Sequence, residues 1–359
     1  MLDRKIIMQK TYGQFINKKL LLLLFGILLC LTCSFSISCT NTNTRDNITV
    51  EDIRGQKINL NIPIKKVVSA HNPTLNHLII LGNGTSKYII GFGRKDIASN
   101  LYSKILTDWD SLEIIGNDST PVNKETILNL NPDLIILPEY NWQTKEKDYE
   151  GTNIPTFVCF PKKESIESVT QSLSMLANLF GQQQRADTII SKYQNIIDGI
   201  KSSVKDIEIK PKTAFLGPRI NTIVSANMLQ NQIIEAAGGS ICTPNNLGDH
   251  FATIEPELLM SMNPDCILIP AYAEYSVSDI LNDAKLTNIN AVKNKQVFKF
   301  PALLEPWDMP TCSSALGIAW LANKLHPECY SNEKLISEAI DFYQLLYNHE
   351  FSQEDFGIN

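Results

Sequence analysis

The most informative hydrophobic pattern is a 14-residue unit that occurs twice, at Glu125–Pro138 and again at Glu257–Pro270. Each copy begins with a glutamate and a short run in which apolar residues recur at helical spacing. An Asn-Pro-Asp sequence then ends the predicted helix, because proline cannot continue it and disfavours helical backbone in the residue before it. The unbroken apolar run that follows is typical of a parallel strand buried on both faces. Two copies of one helix–turn–strand unit predict two similar α/β lobes.

The segments around the first copy alternate in the order that a doubly wound lobe requires. Residues 48–60 alternate apolar and polar positions on both sides of Arg54-Gly55 and predict a β-hairpin. A helix is predicted over Leu75–Leu81, where Gly82 ends the apolar run. Four apolar runs predict buried strands, at residues 66–70, 88–93, 134–138 and 154–160.

A long helix is predicted in the middle of the chain. Apolar residues recur at helical spacing from Ala186 to Val204, which corresponds to about 30 Å of helix. Because no glycine- or proline-rich linker interrupts the chain, we expect one continuous helix at residues 183–206 to join the lobes as a stiff hinge with small closure. The alternative is a helix that belongs to one lobe, with the chain crossing near Lys210-Pro211.

The pattern therefore predicts an α/β protein of two doubly wound lobes joined by one long helix. The first lobe is predicted at residues 48–182 and the second at residues 207–359. The second lobe repeats the alternation, with a strand at residues 213–216, a helix at residues 229–237 and then the second copy of the unit.

The N-terminus carries a predicted export signal. A basic region precedes the apolar run Leu20–Leu31, which is short for a membrane span but has the length of a signal-peptide core. Ser36-Ile37-Ser38-Cys39 resembles the lipobox of bacterial lipoproteins, with serine where leucine is usual, and implies a lipid anchor on Cys39. Residues 1–38 are then the signal peptide and residues 39–47 a polar tether. The alternative is plain secretion, with Cys39 incidental.

Charge and cysteine content narrow the possible partners. Without residues 1–38 the chain has 27 basic and 37 acidic residues, a net charge of −10, which argues against nucleic acid as a partner. Cys159 and Cys266 lie in apolar runs and are predicted to be buried thiols. Cys242, Cys312 and Cys329 could supply one disulfide in an exported protein, with the pair left open. Cys30 and Cys33 belong to the predicted signal peptide, and beyond it no CxxC or spaced Cys/His set indicates a metal site and nothing indicates a cofactor.

Motifs of the common enzyme classes do not occur in the sequence. It has no G-x-S-x-G, no HExxH, no phosphate-binding glycine loop and no GxGxxG, since Gly91-Phe92-Gly93 lacks the third glycine. We therefore expect a binding protein rather than an enzyme.

In their order along residues 48–347, several segments resemble the class III substrate-binding proteins of ABC importers. These segments are Asp52–Ile58, Lys65–Ser69, the two Asn-Pro-Asp units, Ile234–Gly239, Ala291–Asn294 and Leu316–Leu321. The resemblance implies a monomeric, lipid-anchored protein outside the cytoplasm, with ligand between two lobes. It would deliver an iron complex, a ferric siderophore or haem, to an ABC permease and its ATPase. A corrinoid or molybdate/tungstate is the alternative ligand, and a surface interaction lipoprotein the alternative role.

In that family, one glutamate on each lobe docks to arginines of the permease. It lies six residues before the asparagine of the Asn-Pro-Asp turn, which places it at Glu125 and Glu257. Two exposed carboxylates, one per lobe, would form a charge-assisted pair at each end of the complex. Glu255 lies nearby, so the assignment in the second lobe can shift. The alternative is a solvated glutamate at a helix N-terminus.

The ligand site follows from topology, because ligands of open α/β sheets bind beyond the carboxyl ends of the strands. The predicted strand-exit loops and the segment before the second copy supply the candidates His71, Asn72, Arg94, Tyr140, Trp142, Arg219, His250, Tyr272, Tyr275 and Trp307. The arginines can pair with carboxylates or oxygen anions, and the aromatic residues can cover a flat or bulky chelate. Each has an ordinary alternative, such as interlobe packing for Trp307, a surface turn for Tyr272 and a hydrogen-bonded loop histidine for His71.

Overall fold

The computed structural model describes residues 46–116, 122–225, 227–248 and 250–358. The predicted signal peptide and Cys39 lie outside the described residues. Within them, no helix is both long enough and apolar enough to cross a membrane.

The predicted hairpin is confirmed. Strand β1, Asp46–Glu51, pairs antiparallel with β2, Lys57–Ile62. The turn is held by Asp52, whose Oδ1 accepts hydrogen bonds from the backbone N–H groups of Arg54 at 2.9 Å and Gln56 at 3.2 Å. Gly55 takes a left-handed conformation with φ of 76°, which glycine adopts without steric cost.

The first lobe is built on a five-stranded parallel sheet with the order β5-β4-β3-β6-β7. Its strands are β3 Val67–Ser69, β4 Ile89–Phe92, β5 Glu113–Ile114, β6 Leu134–Leu137 and β7 Thr156–Val158. Its helices are α1 Asn72–Leu81, α2 Ser99–Ile105, α3 Lys124–Leu130 and α4 Trp142–Asp148, with a 3₁₀ turn at Trp109–Ser111. The residues of β3 and β6 are buried, as a central parallel strand with both faces covered requires.

Two helices separate the sheets in the chain. Helix α5, Ile166–Phe180, begins at Ser165, whose side chain accepts from the backbone N–H of Ser168, and ends at Gly181 in the left-handed conformation. Helix α6, Gln183–Val204, is 22 residues long and buries an apolar stripe along its length. The predicted long helix is therefore present, while the domain limits drawn around it stay a prediction.

The second lobe is built on a four-stranded parallel sheet with the order β10-β8-β12-β13, and a two-stranded ribbon, β9 and β11, extends from it. These strands are β8 Lys212–Phe215, β9 Thr222–Val224, β10 Ser240–Ile241, β11 Phe251–Thr253, β12 Cys266–Ile269 and β13 Val297–Lys299. The helices are α7 Leu229–Ala236, α8 Pro256–Met262, α9 Val277–Leu281, α10 Asn290–Lys293, α11 Ser314–Leu325, α12 Asn332–Tyr347 and α13 Gln353–Phe356.

The repeated unit has the same structure in both lobes, as α3–β6 and as α8–β12. Asn131 and Asn263 end the two helices in the left-handed conformation, with φ of 47° and 43°. A carboxylate oxygen of Asp133 accepts from the backbone N–H of Lys66 at 3.0 Å. Asp265 accepts from the backbone N–H of Lys212 at the same distance. Each Asn-Pro-Asp turn thus ties its helix to the neighbouring strand of its sheet.

The cysteines of the described chain are all free thiols. Cys159 and Cys266 are buried, as predicted, and burial raises their pKa values to about 12. Cys242, Cys312 and Cys329 are free too, so the disulfide considered for them is not formed in this structure.

Candidate ligand-binding site

Each parallel sheet brings its strand-exit loops to one edge, and these loops hold most of the candidate residues. In the first lobe, His71 and Asn72 follow β3, Arg94 follows β4, and Tyr140 and Trp142 follow β6. In the second lobe, Arg219 follows β8 and Tyr272 and Tyr275 follow β12. Trp142 and Asn72 are each the first residue of a helix, α4 and α1, rather than loop residues.

His71 is a buried, neutral histidine at the start of α1. Its Nδ1 lies 2.9 Å from Oγ1 of Thr74, and its ring makes edge contacts with Phe160 at 4.8 Å and Tyr140 at 5.9 Å between centroids. Burial, reinforced by the nearby His77, lowers the pKa of His71 to about 3. His71 therefore supports the ring of Tyr140 and contributes no positive charge at neutral pH.

The two candidate arginines differ in their partners. Arg94 forms a fork with Asp96, in which Nε donates to Oδ1 at 2.8 Å and Nη2 donates to Oδ2. This contact raises the pKa of Arg94 and lowers that of Asp96. Arg219 is exposed and lies in a turn where its carbonyl accepts from Oγ1 of Thr222 at 2.7 Å. No ion pair within the described residues involves Arg219, so its charge is open to a ligand.

Both candidate tryptophans are packed. The guanidinium of Arg54 lies 4.4 Å from the ring centroid of Trp142, and Arg54 also pairs with Asp52 of the hairpin turn. Trp307 is 2% exposed, and its indole N–H donates to the hydroxyl of Tyr343 at 2.9 Å. The ring of Trp307 is therefore enclosed by the core, which is the packing alternative considered for it.

Tyr140 and Tyr272 are the exposed aromatic residues among the candidates, each with 41% of its surface accessible. Tyr275 is half-buried, and its hydroxyl donates to the carbonyl of Gly217 at 2.9 Å. His250 is exposed, and its carbonyl accepts from the hydroxyl of Ser225.

Two carboxyl groups beside Tyr272 were not among the candidates. Asp308 is fully buried; its Oδ2 accepts from the backbone N–H of Ala271 at 3.2 Å, while Oδ1 has no partner among the described residues. Burial raises the pKa of Asp308 to about 7. Glu164 lies in the loop after β7, and burial raises its pKa too. Desolvation of the hydroxyl group of Tyr272, together with the charges of Asp308 and Glu164, raises the pKa of Tyr272 well above its ordinary value, although the residue as a whole stays 41% exposed.

Glu164 and Tyr272 belong to different lobes, and a hydrogen bond connects the lobes close by. The backbone N–H of Ile166, the first residue of α5, donates to Oε1 of Gln232 on α7 at 3.0 Å. Within the second lobe, the side chain of Gln230, also on α7, donates to the carbonyl of Asp308 at 3.0 Å. The exit loop of β7 thus lies at the boundary between the two lobes.

Glu125 and Glu257 occupy matching positions, each the second residue of its helix, α3 or α8, and both are exposed. Both positions suit a carboxylate, because helix N-termini carry partial positive charge. Glu255 is also exposed and immediately precedes α8.

The described residues contain no group of three or more His, Cys, Asp or Glu side chains that could hold a metal ion. Two cavities, of about 700 and 480 Å³, lie against β10 and against β13. Neither is lined by any of the candidate residues.

The fold and the two sets of exit loops define a two-lobed substrate-binding protein. The sequence profile of the family described as "Periplasmic binding protein" matches residues 94–303. This is more than half of the chain, and the chain belongs to this family, whose members bind solutes for ABC transporters. The resemblance to substrate-binding proteins of ABC importers, inferred from the sequence, is thereby confirmed at the level of the family.

Similar proteins cover most of the chain. The molybdate-binding protein MolA of Haemophilus influenzae is 23% identical over 92% of this chain and 97% of the relative. An uncharacterized ABC transporter substrate-binding lipoprotein of Bacillus subtilis, YvrC, is 20% identical over 79% of this chain and 87% of the relative. The solved structure of CeuE from Helicobacter pylori in a Ni-His complex has a TM-score of 0.75 at 22% identity, over 88% of this chain and 100% of that one. The predicted two-lobed class III fold is confirmed by this likeness.

Proposed function

We propose that this chain is the extracytoplasmic binding lipoprotein of an ABC importer and captures an iron complex, a ferric siderophore or haem, between its lobes. One observation carries the proposal: an exit loop of each lobe presents an exposed tyrosine, Tyr140 in the first and Tyr272 in the second. Aromatic surface from both sides suits a bulky organic chelate better than a small ion.

The charges of the candidate residues support a chelated metal ion as the ligand. Asp96 neutralises Arg94, which leaves Arg219 as the candidate arginine with an open charge. A small dianion enclosed between the lobes needs several donors or cations to offset its lost hydration. A bare metal ion would lack a set of three protein ligands among the described residues, whereas a chelated ion brings its own.

Molybdate or tungstate is the second candidate ligand. It is favoured by the relative named as a molybdate-binding protein, which matches 92% of this chain. Lys162 and Lys163, exposed in the loop after β7, could add positive charge to that of Arg219. A corrinoid is also an organic metal chelate and stays an alternative ligand of that class.

The membrane anchor belongs to the same proposal. A lipid on Cys39 would hold the protein at the outer face of the cell membrane, next to the permease and its ATPase. In the native host, wild-type protein should sediment with membranes, and Cys39→Ser should be released into the soluble extracytoplasmic fraction. Retention of the variant with membranes would contradict lipid anchoring.

Protein purified from its own host tests the ligand. We expect visible absorbance and stoichiometric iron, since ferric chelates and haem absorb visible light. Stoichiometric molybdenum or tungsten without a visible band would support the second candidate. Protein that carries no metal and binds neither haemin, a ferric chelate, cyanocobalamin nor molybdate in titrations would overturn the proposal.

A further inference from the structure

The internal repeat extends beyond the strands to the two exposed tyrosines. Tyr140 is the third residue after β6 and Tyr272 the third after β12, and the two are 132 positions apart, the same offset as Glu125 and Glu257. A buried proline, Pro138 or Pro270, directly follows each strand. Each tyrosine is therefore presented by the same backbone unit, one from each lobe, with the same exposure of 41%.

The two tyrosines are supported differently. Behind Tyr140 lies His71, whose ring makes an edge contact with it and is fixed in turn by Phe160 and Thr74. Behind Tyr272 lies Asp308, which holds the backbone N–H of Ala271, the residue before the tyrosine. Both supports are buried, so the backbone at Tyr272 and the ring of Tyr140 are held in place before a ligand arrives.

At neutral pH a tyrosine side chain is ordinarily an un-ionised phenol. Desolvation of its hydroxyl group, although 41% of the residue's surface is accessible, and the carboxyl groups of Asp308 and Glu164 oppose ionisation of Tyr272. A protonated phenol offers an aromatic face and a hydroxyl that donates a hydrogen bond. The ligand surface that matches both is an aromatic ring that bears oxygen acceptors.

We propose, on the basis of the proposed function, that Tyr140 and Tyr272 are equivalent ligand contacts, one per lobe, that hold an aryl chelate whose rings carry the metal-binding oxygens. Each tyrosine stacks on one aryl face of the chelate and donates its hydroxyl to an oxygen of that ring. Arg219 offsets the negative charge that such oxygen ligands leave on a ferric complex.

Two iron(III) complexes distinguish recognition of the aryl ring from recognition of the metal ion. One is the complex with 2,3-dihydroxybenzoate, which has aryl rings, and the other is the complex with acetohydroxamate, which has none. Titrations followed by intrinsic fluorescence should give at least about tenfold tighter binding of the aryl complex to the full-length protein. Sodium molybdate serves as the third probe.

Substitutions test whether Tyr140 and Tyr272 cause the preference for the aryl complex. Tyr140→Leu and Tyr272→Leu should each weaken binding of the aryl complex by about fivefold to tenfold, and should weaken binding of the hydroxamate complex by a clearly smaller factor. The phenylalanine variants should lose less, because they keep the ring. Ile209→Ala, at a position that is 87% exposed, is the surface control, and the thermal midpoint of each variant reports its folding.

The outcomes separate the two proposals. Equal affinity of the wild type for both iron complexes, or leucine variants that bind the aryl complex like the wild type, would overturn the role of the tyrosines and leave capture of an iron complex standing. Binding of molybdate but of neither iron complex would overturn both.

Discussion

The side-chain amide of Asn76 donates a hydrogen bond of 2.9 Å to Oε2 of Glu305, although 229 residues separate the two in the chain. Asn76 lies on α1 of the first lobe, and Glu305 lies in the loop between β13 and α11 of the second. The other carboxylate oxygen accepts from the hydroxyl of Tyr347 on α12 at 2.8 Å. Glu305 is 3% exposed, so this carboxyl group ties the lobes together inside the core.

Glu305 makes the stability of the protein depend on pH. Burial raises its pKa from 4.5 to about 7, against hydrogen bonds from Tyr347, Tyr343, Ser313 and Asn76 that lower it. The folded state therefore binds this proton more tightly than the unfolded state. The stabilisation is fully present below about pH 4.5 and is lost as the pH rises to about 7, with a slope of up to about 1.4 kcal/mol per pH unit.

Glu305→Gln removes this titration. We expect the free energy of unfolding, measured in urea, to fall less steeply with pH in the variant than in the wild type over that window. Asp308 titrates in the same direction in both proteins, so the difference between the two curves isolates Glu305. Asp341→Asn, at an exposed position, is the control. Parallel curves for wild type and Glu305→Gln would show that Glu305 does not titrate in this window.

Arg185 on α6 connects three helices. Its Nε donates to the carbonyl of Ile80 at 2.6 Å, and its Nη2 donates to the carbonyls of Leu345 at 3.1 Å and Leu346 at 2.8 Å. It thus satisfies carbonyl groups at the C-terminal ends of α1 and α12. Arg185→Met should lower the free energy of unfolding by about 2–4 kcal/mol. Lys201→Met, exposed on the same helix, should change it by less than about 0.5 kcal/mol. Equal values for the two variants would contradict the capping role.

The elements with a regular pattern could be predicted from the sequence. Each Asn-Pro-Asp unit located the end of one helix and the start of the next strand, since proline stops the helix and the apolar run begins the strand. The apolar stripe from Ala186 to Val204 predicted α6. Helix α1 begins at Asn72 instead of Leu75, because Pro73 is well suited to the first turn of a helix.

The site was less predictable, because long-range partners decide what each side chain can do. The sequence around Asp308 and Glu305 does not show that both side chains are buried in the folded protein. The pairing of Arg94 with Asp96, two residues away, was visible in the sequence, and a charged neighbour at that distance should count against a free arginine. The rings of Trp307 and Trp142 lie against Tyr343 and Arg54, contacts that only the tertiary structure brings together.

Trp307 tests the difference between packing and binding. Because its ring is enclosed and its N–H donates to Tyr343, Trp307→Ala should lower the free energy of unfolding by about 3–5 kcal/mol. Trp307→Phe keeps most of the packing and should cost less. If Trp307→Phe folds stably and still weakens ligand binding tenfold or more, the residue acts on the ligand and the packing interpretation is wrong.

Glu125 and Glu257 test the connection to the transporter. Both are exposed at matching positions of α3 and α8, outside the exit loops that hold the candidate ligand residues. The double variant Glu125→Ala/Glu257→Ala should abolish uptake in cells, because it removes one charge-assisted contact from each lobe. The dissociation constant of the purified protein for its ligand should stay unchanged.

Glu255→Ala is the matched control for the second lobe, since Glu255 is also exposed and lies two residues before Glu257. It should support normal uptake, and the single Glu257→Ala variant should not. The reverse pattern would move the docking contact to Glu255 and leave the two-lobed arrangement intact. Normal uptake by the double variant would exclude carboxylate docking at both helices. Substitutions at exposed positions seldom disturb folding, so a loss of uptake would report a lost docking contact.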